Sequence, residues 1–212
     1  MQTANNIIGY LRVTLAALFA SVITCSMANA AGIDEEMKLA AHAMDEQDLA
    51  EAVKHYTNAA EQNHIPAQIK IGELMRTFQE SETAVGWFMM AAYQGSAEGA
   101  YDLGNMYLAG EGVEKNDKKA LYWTKYSADK NFLPAVESMY TAYKQGGLGL
   151  EKDEEQANKW GAKLGPLRAA AQKEVEQTLK EVRENRIKYL EETRKKEAEA
   201  AASGDTQSPA TK

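Results

Sequence analysis

The amino-acid sequence predicts an all-α protein, in which an α-solenoid of stacked antiparallel helix pairs is followed by a long C-terminal helix. The three tryptophans of the chain each follow an alanine by three residues, at Ala84, Ala120 and Ala157. Ala52 begins the same series, and the intervals between the four alanines are 32, 36 and 37 residues. Such intervals are typical of helical repeats. The segment 167–202 contains neither glycine nor proline, which is typical of one long helix.

Other positions recur in the same order around the tryptophans. Small residues followed by Asn or Gly recur in the segments 59–63, 91–95 and 127–131. A small residue, a large apolar residue and, in two of three copies, a glycine then follow: Ala67, Ile71 and Gly72; Gly99, Leu103 and Gly104; Ala135, Met139 and Tyr140. Two helices cannot bury their apolar faces alone, so each copy is expected to stack on the next.

The copy at residues 97–128 carries the most complete pattern. Aromatic residues and glycines alternate in its first helix and loop: Tyr101, Gly104, Tyr107, Gly110 and Gly112. Together with Ala120 and Trp123, this pattern resembles the Sel1-like repeat, a relative of the tetratricopeptide repeat with a longer, glycine-bearing loop. The resemblance covers roughly residues 49–164. It implies that the first helix of each pair lines a concave face.

The helices are expected in a simple order along the chain. The first helix is expected to close the N-terminal end of the stack. Asp117 is expected to cap the helix at 117–128, and Asp153 is expected to cap the helix at 153–164. The expected helices cover residues 34–44, 48–62, 66–77, 82–93, 97–108, 117–128, 134–144 and 153–164. The predicted domains are an export signal at 1–30, the repeat array with its capping helix at 31–165, a charged helix at 166–202 and a disordered tail at 203–212.

The first thirty residues have the features of an export signal. Arg12 supplies a positive charge, residues 13–23 form an apolar core, and Ala28-Asn-Ala30 is a small-x-small cleavage site. The apolar core is shorter than the roughly 20 residues that a spanning helix needs. Cleavage after Ala30 predicts a periplasmic or secreted protein with no stable membrane insertion. The alternative is a lipoprotein anchored at Cys25.

Composition excludes several kinds of function. The formal net charge of −7 argues against nucleic acid and anionic membranes as partners. Cleavage would remove Cys25, the single cysteine, so no disulfide framework or thiol chemistry is expected. The histidines, His42, His55 and His64, lack metal-site spacing, and His55 is expected to pack in a tryptophan position. We therefore predict no catalytic residue, no metal site, no cofactor and no enzymatic activity.

Candidate partner-binding residues lie on the first helix of each pair and point away from the core at helical spacing. They are Glu73, Arg76, Tyr101, Asn105, Leu108, Glu137, Thr141 and Lys144. Curved helical arrays usually bind proteins or peptides. The sequence thus predicts an exported adaptor or scaffold for a protein or peptide partner in the cell envelope, such as the bacterial periplasm.

Two other functions remain open at this point. Some exported proteins that resemble this family have been assigned activity on cell-wall or β-lactam substrates, but they carry a cysteine pair in each repeat that this chain lacks. Alternatively, the protein is a structural subunit of an envelope complex that acts through helix 166–202. That helix is either a solvated helix or one that binds a partner or self-associates, although sustained apolar heptads are missing.

Overall fold

The computed structural model describes residues 32–203, and within that range it contains eight α-helices and no β-strand, which confirms the predicted fold class. The helices are α1 over residues 32–45, α2 Leu49–Glu61, α3 Ile65–Thr77, α4 Ser81–Tyr93, α5 Ala97–Ala109, α6 Asp117–Asp129, α7 Leu133–Gln145 and α8 Glu154–Ser203. The predicted export signal, Cys25 and nearly all of the predicted tail lie outside the described residues.

The chain divides into two compact units, of which the first ends at Trp160 and the second begins at Gly161. The expected helix end at Leu164 is wrong, because α8 continues through Gly165 and Pro166 to Ser203. A proline inside a helix removes one backbone hydrogen bond and costs about 3 kcal/mol. The alanine-, glutamate- and lysine-rich segment that follows favours the helix strongly enough to continue it.

Equivalent positions of the repeats have equivalent burial. The alanine that precedes each tryptophan is buried, and so is Ala52, the first of the series. The large apolar residues of the next helix, Ile71, Leu103 and Met139, are fully buried. Each helix from α2 to α6 packs against the helix that follows it up to α7. The recurring sequence positions are therefore the core positions of a stacked array.

Two of the three tryptophans lie at the edges of these cores. Trp160 is buried, whereas Trp87 and Trp123 are partly buried. Trp87 packs against the apolar cluster that α1, α2 and α3 form, and Trp123 packs against the cluster of α4, α5 and α6. Packing is thus the role that the structure gives to these two rings.

Several helices end in the same left-handed turn. Asn63, Gly95 and Asn131 have φ angles of 63°, 95° and 63°. In each case the next residue donates its N–H to a carbonyl five residues earlier, as Ser96 does to Ala91 at 3.0 Å. Asn and Gly adopt this backbone conformation at low cost, which explains why they recur at the ends of the segments 59–63, 91–95 and 127–131.

Two capping predictions have different outcomes. The Asp153 carboxylate accepts a hydrogen bond from the Gln156 N–H at 2.9 Å, as expected. Asp117, by contrast, is the first residue of α6, and the Asn116 side chain caps it by accepting from the Lys119 N–H at 3.0 Å. The sequence offers two adjacent capping residues, and the extended backbone of Asn116 places its side chain at the helix end.

His55 does not take the simple packing role expected from its position. Its Nδ1 lies 2.6 Å from Glu36 Oε2, and its Nε2 lies 3.1 Å from Glu51 Oε1. Asn58 also donates to Glu36, at 3.2 Å. The hydrogen bond from His55 is the main cause that lowers the pKa of Glu36. The tryptophan position of the first copy therefore holds a polar connection between α1 and α2.

Candidate partner-binding cleft

A cleft of about 360 Å³ opens between α5 and α7. Helix α5 contributes three residues to its wall, and α7 contributes five, with the loop after α7 and one residue of α6 completing it. The lining residues are Tyr101, Asn105, Leu108, Thr124, Pro134, Glu137, Ser138, Thr141, Ala142, Gly146, Gly147 and Leu148.

Helical periodicity explains why each wall of the cleft presents several side chains on one face of its helix. Tyr101, Asn105 and Leu108 are spaced four and three residues apart, and Glu137 and Thr141 are four apart. Residues at these intervals share one face of a helix. Leu108 and Thr141 are exposed, so the apolar surface of the leucine and the threonine side chain are accessible from solvent.

Tyr101 fixes the two walls relative to each other. Its hydroxyl shares a hydrogen bond of 3.2 Å with the Ser138 hydroxyl of α7. Its ring packs against Phe132, which precedes α7, with 5.6 Å between the ring centroids. Behind this wall, the Ser127 hydroxyl of α6 donates to the Ala97 carbonyl at the start of α5, at 2.6 Å. The cleft is therefore built on helices that are held together before any partner binds.

The glycine-rich loop forms one end of the cleft. Gly146, Gly147 and Gly149 all have positive φ angles, which glycine adopts without the strain that a side chain would add. The N–H of Gly147 donates to the Leu150 carbonyl at 3.2 Å, and the N–H of Leu150 donates back at 2.8 Å. This short turn carries Leu148 to the cleft, where it packs on the α4–α6 core cluster.

The structure brings together five of the eight candidate residues, namely Tyr101, Asn105, Leu108, Glu137 and Thr141. The other three, Glu73, Arg76 and Lys144, do not line the cleft and are exposed. Each of the three has a polar partner within the protein. Lys70 Nζ donates to Glu73 at 2.8 Å, and Lys144 Nζ donates to the Tyr140 hydroxyl at 2.6 Å. Arg76 Nε lies 3.5 Å from a carboxylate oxygen of Glu111.

Asp102 is a titratable residue of α5 that the sequence analysis missed, and it does not line the cleft. It follows Tyr101 on α5 and is partly buried. Burial is the largest cause that raises its pKa, and the nearby carboxylates of Glu98 and Glu73 add to it against smaller opposing effects from Arg76 and Lys70, so that the pKa is about 7. An acidic residue between Tyr101 and Leu103, inside an apolar helix segment, was the available signal.

The chemistry of the lining suits recognition. Glu137 is the one carboxylate among the described residues that line the cleft, and no histidine, cysteine or lysine accompanies it there. Hydroxyl and amide groups from Tyr101, Asn105 and Ser138 can form hydrogen bonds, while Leu108 and Leu148 offer apolar contact.

Within residues 32–203, no group of three or more His, Cys, Asp or Glu side chains is placed to hold a metal ion. Over the same range, no helix is both long and apolar enough to cross a membrane.

Comparison with known proteins supports the repeat assignment directly. The Sel1 repeat family model matches residues 43–64, 66–96, 97–132 and 141–163, which together are more than half of the chain. The chain belongs to the Sel1 repeat family. The second and third matches of this Sel1 repeat protein coincide with the pairs α3–α4 and α5–α6.

Solved structures with a similar fold are also Sel1 repeat proteins. One is a Sel1 repeat protein from Oxalobacter formigenes, with 28% identity and a TM-score of 0.56, where the match covers 67% of this chain and 58% of that one. Another is a protective antigen of uropathogenic Escherichia coli strains, with 28% identity and a TM-score of 0.55, covering 67% and 34%.

Two curated proteins are similar in sequence. An uncharacterized protein of Neisseria meningitidis serogroup B is 32% identical over 125 residues, which are 58% of this Sel1 repeat chain and 26% of that protein. Chitin synthase regulatory factor 3 of Schizosaccharomyces pombe is 30% identical over 112 residues, 50% of this chain and 12% of that protein. The chain thus spans about a quarter and about an eighth of these two relatives.

Proposed function

We propose that this Sel1 repeat protein is an exported adaptor that binds a protein or peptide partner in the cleft between α5 and α7. Sel1 repeat arrays commonly serve protein–protein interaction and are generally non-enzymatic scaffolds. The observation that carries the proposal is the convergence of five outward-facing repeat positions on one cleft. Because the hydrogen bond between Tyr101 and Ser138 already fixes the two walls, little conformational entropy is lost in the cleft when a partner binds.

The shape of the cleft suits a short extended or helical segment of a partner. Its volume of about 360 Å³ is enough for one or two apolar side chains, and Asn105 can form hydrogen bonds with a peptide backbone. The name of the yeast relative, a regulatory factor, fits a protein that acts by contacting another protein.

The decisive experiment compares two exposed apolar residues that differ in location. Leu108 lines the cleft, whereas Met90 lies on α4 and does not; they are 36% and 42% exposed. Leu108→Arg would put a charge and extra volume into the cleft, and Met90→Arg makes the same chemical change elsewhere. The immobilised proteins are used to capture partners from envelope extracts, and captured proteins are quantified by mass spectrometry.

We expect Leu108→Arg to lower capture of the specific partner at least ten-fold, and Met90→Arg to leave it unchanged. Thr141→Arg, on the opposite wall, should act like Leu108→Arg. Equal capture by all three variants would contradict the assignment of the cleft. The exposed residues Glu73, Arg76 and Lys144 form a second test, since their combined charge reversal should weaken capture only if the partner extends beyond the cleft.

Export requires a separate test. We propose that the signal is cleaved after Ala30, with lipidation at Cys25 as the alternative. Fractionation followed by N-terminal sequencing distinguishes the two, because ordinary cleavage yields a chain that begins at Ala31. A chain that begins at a modified Cys25 would support the anchored form, and an intact Met1 in the cytoplasm would contradict export.

The two alternative functions differ in their support. A hydrolase needs paired acid and base groups or an activated nucleophile, and the cleft lining contains a single carboxylate. The structural role through the C-terminal helix has a specific observation in its favour: apolar side chains on α8 are exposed.

A further inference from the structure

The second compact unit carries a line of exposed apolar side chains along α8. We define the α8 stripe as Val175, Leu179, Val182, Tyr189 and Leu190, all of which are exposed. Val175, Leu179, Val182 and Tyr189 follow one another at intervals of four, three and seven residues. These intervals are those of the apolar seam of a coiled coil, in which two helices pack side by side.

We propose that the α8 stripe pairs with the α8 stripe of a second copy of this chain, in antiparallel orientation. This proposal does not depend on the cleft between α5 and α7, since it rests on different residues in a different unit. The order of the seam residues and the charges that flank them favour a second copy in antiparallel orientation.

The seam residues complement one another when the helix runs against itself. With Leu179 opposite Val182 of the second copy, symmetry creates the same contact twice at the centre. Val175 then lies opposite Arg186, whose alkyl part can pack on the valine. Leu190 occupies a flanking position beside the seam, and there it faces the equivalent flanking residue Ala169 of the second copy. The antiparallel register thus gives four of the five stripe residues an apolar neighbour.

Flanking charges favour the same arrangement. Glu176 and Arg183 occupy equivalent flanking positions one heptad apart, on the same side of the seam. In an antiparallel pair, flanks of the same kind face each other, so Glu176 meets Arg183 of the second copy, and the contact occurs twice by symmetry. Opposite charges at these positions attract and set the orientation of coiled coils.

A parallel pair would also bring the apolar seam residues together, because each would face its own copy, but it would place Arg186 opposite Arg186 and would lack the charge complementarity. There, Glu176 and Arg183 would face the neutral residues Ala171 and Thr178 of the second copy, and Glu192 would face Glu197. Like charges that face each other across an interface are destabilising. The sequence therefore disfavours the parallel arrangement, in addition to favouring the antiparallel one.

The seam is short, which sets the expected strength. It covers little more than two heptads and includes the charged Arg186, so a weak and reversible dimer is expected, with a dissociation constant on the order of 10 μM. Sedimentation equilibrium of the purified protein, produced from the whole sequence, should show dimer formation between about 1 and 100 μM.

Charge reversal tests the register. Glu176→Arg and Arg183→Glu should each raise the dissociation constant about ten-fold, because both contacts become repulsive. Mixing these two variants should restore association, since every cross-contact is then attractive. Lys188→Glu is the matched control, because Lys188 lies on the side of α8 opposite the stripe and should not affect the dimer. Circular dichroism verifies that all variants keep their helicity.

Leu179→Ser completes the design by removing the central apolar contact, and it should abolish the dimer. A protein that stays monomeric at about 100 μM would overturn the proposal. So would a dimer that persists in Leu179→Ser, because another surface would then hold it, or a mixture of the two charge variants that associates no better than either alone. Coverage of the stripe by a different protein, with no self-association, would overturn it as well.

Discussion

Replacing Gly104 with alanine should destabilise the repeat array, although the same replacement at Gly86 should stabilise it. Both glycines lie inside 13-residue helices, Gly104 in α5 and Gly86 in α4. They differ in their surroundings. A methyl group on Gly104 would lie 2.8 Å from Thr124 Oγ1, 3.2 Å from the Thr124 nitrogen and 3.3 Å from the Ala120 oxygen, whereas one on Gly86 would have no atom within 4 Å.

The expected magnitudes follow from two opposing effects. Alanine is better than glycine in a helix interior by about 0.8–1.0 kcal/mol, and this gain applies at both positions. Overpacking a close contact costs about 1–3 kcal/mol. Two of the three atoms near Gly104 belong to the α6 backbone and cannot rotate away. We therefore expect Gly86→Ala to raise the free energy of unfolding by about 1 kcal/mol. The free energy of unfolding of Gly104→Ala should be about 1–3 kcal/mol lower than that of Gly86→Ala.

Tryptophan fluorescence in a urea titration is the suitable assay. All three tryptophans lie between residues 87 and 160, within the first unit, so this signal does not report on the end of α8. The midpoint and slope give the free energy of unfolding, and an unchanged slope shows that the variants unfold between comparable states. For a protein of this size, each kcal/mol should also shift the melting temperature by about 2–4 °C.

Equal stabilisation by the two substitutions would refute the reasoning. It would mean that α5 and α6 can separate at no cost, and that Gly104 is not required for their close approach. If Gly86→Ala lowered the free energy of unfolding as much as Gly104→Ala, the reasoning would also be wrong. Helix propensity would then fail to predict the effect of alanine at the solvent-facing Gly86.

Three further predictions concern single residues. Asp102 has a raised pKa in the folded protein, so it does not destabilise the fold below its ordinary pKa of 3.8, and its destabilising effect grows as the pH rises towards about 7. Asp102→Asn should therefore stabilise the protein at pH 8 by about 1–2 kcal/mol, after allowance for partial exposure, but not near pH 4, and melting curves with no pH-dependent difference would argue against this. Gly112→Ala should lower the free energy of unfolding by about 2 kcal/mol or more, because Gly112 has a φ of 68° and a methyl group would collide with the Ser81 backbone; an unchanged urea midpoint would be the contrary result. Glu36 has a lowered pKa when folded, so Glu36→Gln should reduce the melting temperature at pH 7, with a difference that shrinks as the pH falls below 4.5. A deficit that is the same at pH 7 and pH 3 would contradict the role of the charged carboxylate.

Much of the array was accessible to reasoning about local sequence. The expected helix limits differ from the observed ones by one or two residues for most of the array, as in the expected 82–93 against Ser81–Tyr93 for α4. Helix starts and ends depend on residues a few positions apart, such as the Asp48 side chain that accepts from the Glu51 N–H. The end predicted at Leu164 failed because Gly165-Pro166 is a local signal, while the strongly helical segment after it determines whether the helix continues.

The sequence by itself determined the repeat, the buried columns and the residues that face away from the core, since these follow from periodicity along single helices. Only the tertiary structure decided that Tyr101 and Ser138, 37 positions apart, join the walls of one cleft. It likewise decided the raised pKa of Asp102 and the bond from His55 to Glu36, 19 positions away. Each of these depends on which helices become neighbours and how closely they approach, and neither is encoded in the spacing of residues on one helix.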